Sequence, residues 1–180
     1  MRLDVLPSIL LNVNPTLAQL RTALANATSE MSATDWVRHA PGKWNSAEIL
    51  EHLNRTYMGT IKGCERCLAS GKPIASGDRA SKRWQRLVTV GLGFFPSGRK
   101  SPERALPRGM QAELVASEIF QNIARMDEVI SECDSRFGST TPLADHPALG
   151  PLTAREWRKF HLVHGKHHAR QIVRLRRQSD

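Results

Sequence analysis

Four long segments of the chain repeat their apolar residues with the period of an α-helix, and Pro, Gly and Ser concentrate between them. No segment alternates apolar and polar residues between hairpin-type turns, which is the pattern of a β-strand. Helices of about 24 residues would be about 36 Å long, a height that suits a helical bundle. The sequence therefore predicts an all-α fold, a four-helix bundle.

Local signals for helix starts and ends mark the limits of these helices. Capping side chains bond the first backbone N–H groups, which have no partner within the helix. The predicted elements are a first helix starting at Asn14-Pro15, a second with a capping box from Asn45 to Glu48, a third from about Met110 to Phe137, and a fourth with a capping box from Thr153 to Glu156, continuing to about Arg177.

The length of 180 residues predicts a single domain over 1–180, because one domain takes about 150 residues. Within it, residues 71–109 lose the helical period and form a long basic crossover between the second and third helices, with one short helix over 83–90. We expect Trp84, Leu87, Phe94 and Phe95 to anchor the crossover to the bundle. The basic residues of the crossover include Arg79, Lys82, Arg83, Arg86, Arg99, Lys100, Arg104 and Arg108, against Asp78 and Glu103.

The net charge of +9 predicts a surface that attracts anions, although charge alone does not choose among phosphates, carboxylates and nucleic acid. The basic stretches lack interleaved aromatic residues and a recognisable reading helix, so we do not expect sequence-specific nucleic-acid binding.

Cysteine usage and hydropathy indicate the compartment. The three cysteines, Cys64, Cys67 and Cys133, are an odd number, which favours a reducing cytoplasm. We expect Cys64 in the core and Cys67 partly exposed, and the lone Cys-x-x-Cys is a weak zinc motif. Residues 1–13 do not fit a signal peptide well, and no apolar stretch approaches the roughly 20 residues of a membrane span.

The clearest chemical signal is a cluster of four histidines within eight residues, 161–168, on the fourth helix. At 100° per residue, His161, His164, His168 and Gln171 share the face that Trp157 and Phe160 should bury, whereas His167 lies at its edge. Two histidines at i and i+4 can ligate one metal ion from a single helix. His164 and His168 are therefore candidate ligands.

His52, on the inward face of the second helix, is the leading candidate for a third ligand. Three histidines would leave a coordination position open, as in catalytic zinc sites. Gly165 follows His164, so the glutamate of a His-Glu-x-x-His protease is missing. No acidic residue lies three positions before any histidine, which excludes the Glu-x-x-His pairs of di-iron bundles. The expected site is mononuclear.

Two motifs resemble the DinB/YfiT-like superfamily of metal-dependent enzymes. The stretch 44–53, WNSAEILEHL, is similar to its W-S-x-x-E-I-x-x-H-L helix, with Asn45 where serine is usual. The stretch 164–172, HGKHHARQI, is similar to its H-x-x-H-H-x-x-Q-I signature, and 146–157 resembles the approach to that helix in one bacterial branch.

The resemblance implies a four-helix bundle with up-down-down-up connections, which the long crossover suits. It implies a divalent metal ion held by His52, His164 and His168. It also implies small-molecule chemistry, since characterised relatives include hydrolases and thiol-dependent transferases.

Two functions fit these observations. The first is a cytoplasmic enzyme that uses Zn²⁺ or Ni²⁺ to activate water or a thiolate toward a small anionic substrate; the second is a non-catalytic metal- or ligand-binding bundle of the stress-response or sensor kind. Gln171 and His161 are either pocket residues beside the metal or structural anchors. No general base is evident, because Glu48 is expected to cap its helix and Glu51 to be solvated. A homodimer with the crossover on its outside remains an alternative to a crossover that covers the site.

Overall fold

The first two long helices begin at the capping residues that the sequence predicts. A computed structural model describes residues 13–93 and 101–177 of the protein. The Asn14 side chain accepts from Thr16 N–H at 3.0 Å. Asn45 and Glu48 exchange two hydrogen bonds of 2.8 Å, one from the backbone N–H of each residue to the side chain of the other. The predicted starts of the first two long helices are therefore confirmed.

The described residues form six α-helices and one β-hairpin. The elements are α1 (Pro15–Thr28), α2 (Ala33–Val37), α3 (Ser46–Ser70), α4 (Arg83–Arg86), α5 (Ala112–Phe137), β1 (Pro142–His146), β2 (Gly150–Thr153) and α6 (Ala154–Arg177). A π-helical turn, Leu87–Gly91, continues α4, and a 3₁₀ turn, Glu103–Ala105, precedes α5. The predicted limits of the third and fourth long helices agree with α5 and α6 to within about two residues.

The long helices pack in two close pairs around a shared hydrophobic core. Helix α3 lies along α5 and α1 lies along α6, whereas α3 and α6 make few contacts with each other. The buried apolar cluster draws on all four helices and on the hairpin. Gly165 allows α6 to approach α1, because a Cβ atom there would overlap the Leu20 side chain. The sparse contact between α3 and α6 leaves a cleft.

The β-hairpin shows that the prediction of an all-α fold is wrong in this region. Strands β1 and β2 pair antiparallel, with Ala144 opposite Leu152. They have only five and four residues, too few to give a readable alternation in the sequence. Leu143 and Leu152 are fully buried, and Leu143 O accepts from the N–H groups of Ile74 and Ala75. Tertiary packing therefore stabilises this hairpin, and the fold is mostly helical with a small two-stranded sheet.

The basic crossover docks on the hairpin and on the start of α6 through charged groups. Arg79 donates two hydrogen bonds to the Glu156 carboxylate, of 2.9 and 2.7 Å. Arg86 is buried, donates to Leu149 O at 3.1 Å and lies 3.8 Å from Glu156. Asp145 of β1 accepts from the backbone N–H of Ser76 at 2.9 Å. These contacts place the first half of the crossover beside the cleft.

Some predicted side-chain positions are wrong. Trp84 and Leu87 are 70% and 48% exposed, because Arg86, rather than either of these apolar residues, faces the protein. Cys67 is fully buried, with its thiol 3.2 Å from Leu143 O in the hairpin that the sequence did not predict. Phe94, Phe95, Arg99, Lys100 and residues 1–12 lie outside the described residues.

None of the helices in the described part of the chain combines the length and hydrophobicity that a membrane span requires.

Candidate metal centre

Three histidine side chains face one another across the cleft between α3 and α6. His52 is on α3, and His164 and His168 are one turn apart on α6. The Nε2 atom of His164 lies 3.2 Å from Nε2 of His52 and 3.0 Å from Nε2 of His168. One ring nitrogen from each of the three residues lies within 4.8 Å of the others, and all three side chains are buried. The structure thus brings the three predicted ligands together.

Hydrogen bonds behind the cluster determine which ring nitrogens carry protons. His52 Nδ1 lies 2.8 Å from Ala105 O, and His168 Nδ1 lies 2.6 Å from Gln171 Oε1. Both oxygens can only accept, so each Nδ1 must be the N–H of its ring. In a neutral imidazole the other nitrogen then carries a lone pair. His52 and His168 therefore both point Nε2 lone pairs at the same region.

Burial keeps these rings neutral. It lowers the pKa of His168 to about 3, with the neighbouring His52 adding to the shift. It also lowers the pKa of His52 and holds the pKa of His164 well below its usual value, where the other imidazoles contribute as well. The neutral imidazole is the form that ligates metals, so no proton has to be displaced from these rings near neutral pH.

The arrangement of donors fits a divalent cation. One N–H on His164 would satisfy at most one of the two facing lone pairs in good geometry, whereas a central cation attracts all three nitrogens. Tetrahedral ligands at 2.0 to 2.1 Å from zinc lie about 3.3 Å apart. The two Nε2–Nε2 separations at His164, 3.2 and 3.0 Å, are close to that value.

Aromatic rings surround the imidazoles. Trp44 lies beside His52 with ring centroids 5.0 Å apart, and Phe160 stacks on His164 at 5.3 Å. The three histidines open into a cavity of about 2060 Å³, which extends along the cleft to the hairpin and is bordered by the crossover at Thr89, at 101–102 and at 104–106. An apolar wall beside an open cavity lowers the dielectric around a metal and still admits a ligand.

Basic side chains outnumber acidic ones around the cavity. Its acidic lining residues are Glu65 and Asp145. Glu65 pairs with Arg125 at 2.9 Å, and Asp145 binds the backbone of residues 76 and 77. Its basic lining residues are Lys43, Arg55, Lys62, Arg66, Arg104 and Arg174.

Most of these basic residues were not predicted to lie at the site. The sequence predicts a positive surface from the basic residues of the crossover, and of those among them that the structure describes only Arg104 lines the cavity. The helical period of α3 gives a usable signal, since Arg55, Lys62 and Arg66 are spaced at i, i+7 and i+11 and so share one face.

The remaining predicted site residues divide between the site and the core. Gln171 binds His168, and its amide nitrogen lies 3.2 Å from His167 Nε2. His161 is fully buried beside Tyr57, with Nε2 2.9 Å from Thr60 Oγ1, and does not line the cavity. Gln171 thus contacts the centre, whereas His161 anchors the helices.

The two glutamates near His52 also have assigned partners. Glu48 caps α3 as predicted. The prediction that Glu51 is solvated is wrong, because it is 3% exposed and accepts three backbone hydrogen bonds from residues 108–110. Neither carboxylate is therefore oriented as a general base.

A comparison with protein families gives the chain its classification. A family model described as "Protein of unknown function (DUF1569)" matches residues 16–175, which is most of the chain. The protein belongs to the DUF1569 family. Searches of curated proteins and of solved structures find no match.

Membership of the DUF1569 family corrects the resemblance read from the two histidine motifs. The family that matches is DUF1569, and not the DinB/YfiT-like superfamily. The two short motifs reflect helix caps and inward-facing histidines, which different helical families can share. The chemistry of this DUF1569 protein must therefore be argued from its own residues.

The buried His161 should make the stability of the metal-free protein depend on pH. Its pKa is about 3, lowered by burial and by His146, and the unfolded value is about 6.5. The unfolded state therefore takes up a proton below pH 6.5 that the folded state rejects until about pH 3. From this residue alone, the free energy of unfolding should fall by about 2 kcal/mol between pH 7 and pH 5.

Urea unfolding in the presence of a chelator measures this change. His161→Gln cannot protonate, so its free energy of unfolding should change by about 2 kcal/mol less over the same interval. His39→Gln, at an exposed position, is the control and should behave as the wild type. Equal changes in the wild type and His161→Gln would contradict the assignment of a neutral, buried His161.

Proposed function

We propose that the protein is an enzyme that depends on one divalent metal ion, held by His52, His164 and His168, and acts on a small anionic substrate. The observation that supports this most strongly is that His52 and His168 both direct an Nε2 lone pair at His164. Ala105 O and Gln171 Oε1 set the tautomers of these two rings. Imidazole ligands suit Zn²⁺ and Ni²⁺.

Hydrolysis or transfer to a thiol is the reaction class that such a centre serves. A divalent ion with three protein ligands lowers the pKa of a water molecule or thiol at its open position. The chain contributes neutral ligands, which leave the full ionic charge to act there. Trp44 and Phe160 restrict water around the imidazoles, and Gln171 and Ala105 hold the ligand rings in orientation.

The charges around the cavity favour an anionic substrate. Three neutral ligands do not offset the charge of the ion, and the acidic lining residues both have other partners. The basic lining residues add a positive potential that raises the local concentration of anions. Arg86, one of the basic residues of the crossover, is directed away from this role, because it binds Glu156 and Leu149 O.

A non-catalytic metal-binding protein is the second candidate. The observation in its favour is that both carboxylates lining the cavity already bind other groups. Neither is therefore free to act as the positioned base that a hydrolase commonly uses. Turnover of small thiol or amide compounds by the metal-loaded protein, lost in His164→Ala, would support the enzyme. Stoichiometric metal binding without any turnover would support the second candidate.

The architecture and the assembly are part of the proposal. Because the four long helices share one core, we propose that the chain is a single domain, a four-helix bundle with up-down-down-up connections. A homodimer, a cytoplasmic location and the lack of a nucleic-acid partner stay predictions.

The metal proposal predicts stoichiometric binding of one divalent ion per chain. His52→Ala, His164→Ala and His168→Ala should each weaken Zn²⁺ or Ni²⁺ binding by more than about 100-fold, because each removes one of only three ligands. Isothermal titration after chelation and elemental analysis measure this. His39→Ala is the matched control and should bind as the wild type; failure of the wild type to bind either ion would refute the site.

The anionic-substrate proposal predicts that inorganic phosphate binds the metal-loaded protein more weakly as salt increases. Arg174→Ala should weaken phosphate binding by a factor of about 3 to 10, a typical effect of one removed charge at a partly exposed position. Arg177→Ala removes an equal exposed charge from the same helix outside the cavity and is the control. Equal phosphate affinities for these two variants would show that Arg174 does not contribute to anion binding in the cavity.

A further inference from the structure

Two charged side chains on one stretch of α3 hold the segment 104–110 beside the three histidines. The Glu51 carboxylate accepts from the N–H groups of Arg108, Gly109 and Met110 at 2.8, 3.0 and 2.9 Å. One turn further on, the Arg55 guanidinium donates to Arg104 O at 3.2 and 3.0 Å. Glu51 and Arg55 therefore grip this segment at its two ends.

The carbonyl group that sets the tautomer of His52 lies between the residues that Arg55 and Glu51 bind. Ala105 O accepts from His52 Nδ1 at 2.8 Å, and Ala105 is 8% exposed. A carbonyl oxygen belongs to the backbone, so its position depends on whatever fixes the segment. The 3₁₀ turn Glu103–Ala105 has only three residues and cannot hold that position by itself.

The charges of Glu51 and Arg55 are used in an unusual way. A glutamate and an arginine at i and i+4 on a helix commonly pair with each other. Here each instead binds backbone groups of the opposite polarity, N–H groups for the carboxylate and a carbonyl for the guanidinium. Burying the Glu51 carboxylate is costly unless several donors compensate, and the three N–H groups do so.

We propose that Glu51, assisted by Arg55, is a positioning residue for the metal centre: it fixes the 104–110 segment so that Ala105 O holds His52 in the Nδ1–H form with its Nε2 lone pair toward the metal. The inference rests on the proposed metal site, but its first consequence is a property of the metal-free protein. Partners behind metal-bound histidines commonly change metal affinity by about 10- to 100-fold.

The decisive variant is Glu51→Gln, which keeps the shape of the side chain but places an amide NH₂ group against backbone N–H donors. In the metal-free protein at pH 7.5, ¹⁵N NMR of the histidine rings should show His52 wholly as the Nδ1–H form in the wild type. In Glu51→Gln, the Nε2–H form should appear. Zn²⁺ affinity should fall by about 10- to 100-fold.

Glu48→Gln is the matched control. Glu48 is also a glutamate of α3 that accepts a backbone hydrogen bond, but its partner is Asn45 N–H in the helix cap. This variant should leave both the His52 tautomer and the Zn²⁺ affinity unchanged. If Glu51→Gln does not fold, Arg55→Ala, which removes the bonds to Arg104 O, decides by the same two measurements.

The two proposals fail in different ways. A folded Glu51→Gln protein with the wild-type His52 tautomer would overturn the positioning role, whether or not metal binds. Wild-type protein that binds no metal, yet shows the tautomer change in Glu51→Gln, would refute the metal site and leave the role of Glu51 in orienting His52 intact. Equal effects of Glu48→Gln and Glu51→Gln would also overturn the proposal.

Discussion

Three neutral imidazoles directed at one point are the constraint on which the arrangement of this protein depends. Their Nε2 lone pairs repel one another unless a proton or a cation lies between them. A proton on His164 Nε2 satisfies at most one of the two separations of 3.0 and 3.2 Å, so without a cation the surrounding structure has to impose the other. Helix α6 supplies two of the rings from adjacent turns, and the packing of α3 against α5 places the third opposite them.

The same constraint explains why α3 and α6 stay apart. Close helix pairs form where small or apolar residues allow approach, as at Gly165 against Leu20 on α1. The facing surfaces of α3 and α6 instead carry buried imidazoles, whose pKa values are lowered by desolvation. Such polar groups tolerate burial only with hydrogen-bond partners or a bound ion. The cleft and the histidine cluster therefore occur together, on the facing surfaces of α3 and α6.

The sequence predicts what depends on local chemistry. Asn45 and Glu48 define the start of α3 by hydrogen bonds within four residues, and the i,i+4 spacing places His164 and His168 on one face. It does not predict what depends on contacts between distant segments. The hairpin has strands too short to show a period, and Glu51 looks like a solvated helix residue until the 108–110 segment packs on it. The short motifs around His52 and His164 also suggested the wrong family, since caps and inward histidines recur in unrelated helices.

X-ray absorption spectroscopy of the protein loaded with one equivalent of Zn²⁺ reports which atoms bind the metal. If His52, His164 and His168 hold the ion, the nearest neighbours should be nitrogen and oxygen at about 2.0 to 2.1 Å, with the multiple-scattering signal of three imidazoles, and His52→Ala should lose one imidazole contribution. Thiolate sulfur is the alternative ligand for Zn²⁺ in this chain, because Cys64, Cys67 and Cys133 are all free. Sulfur scattering at about 2.3 Å, or fewer than three imidazoles around the ion in the wild type, would rule out this three-histidine site.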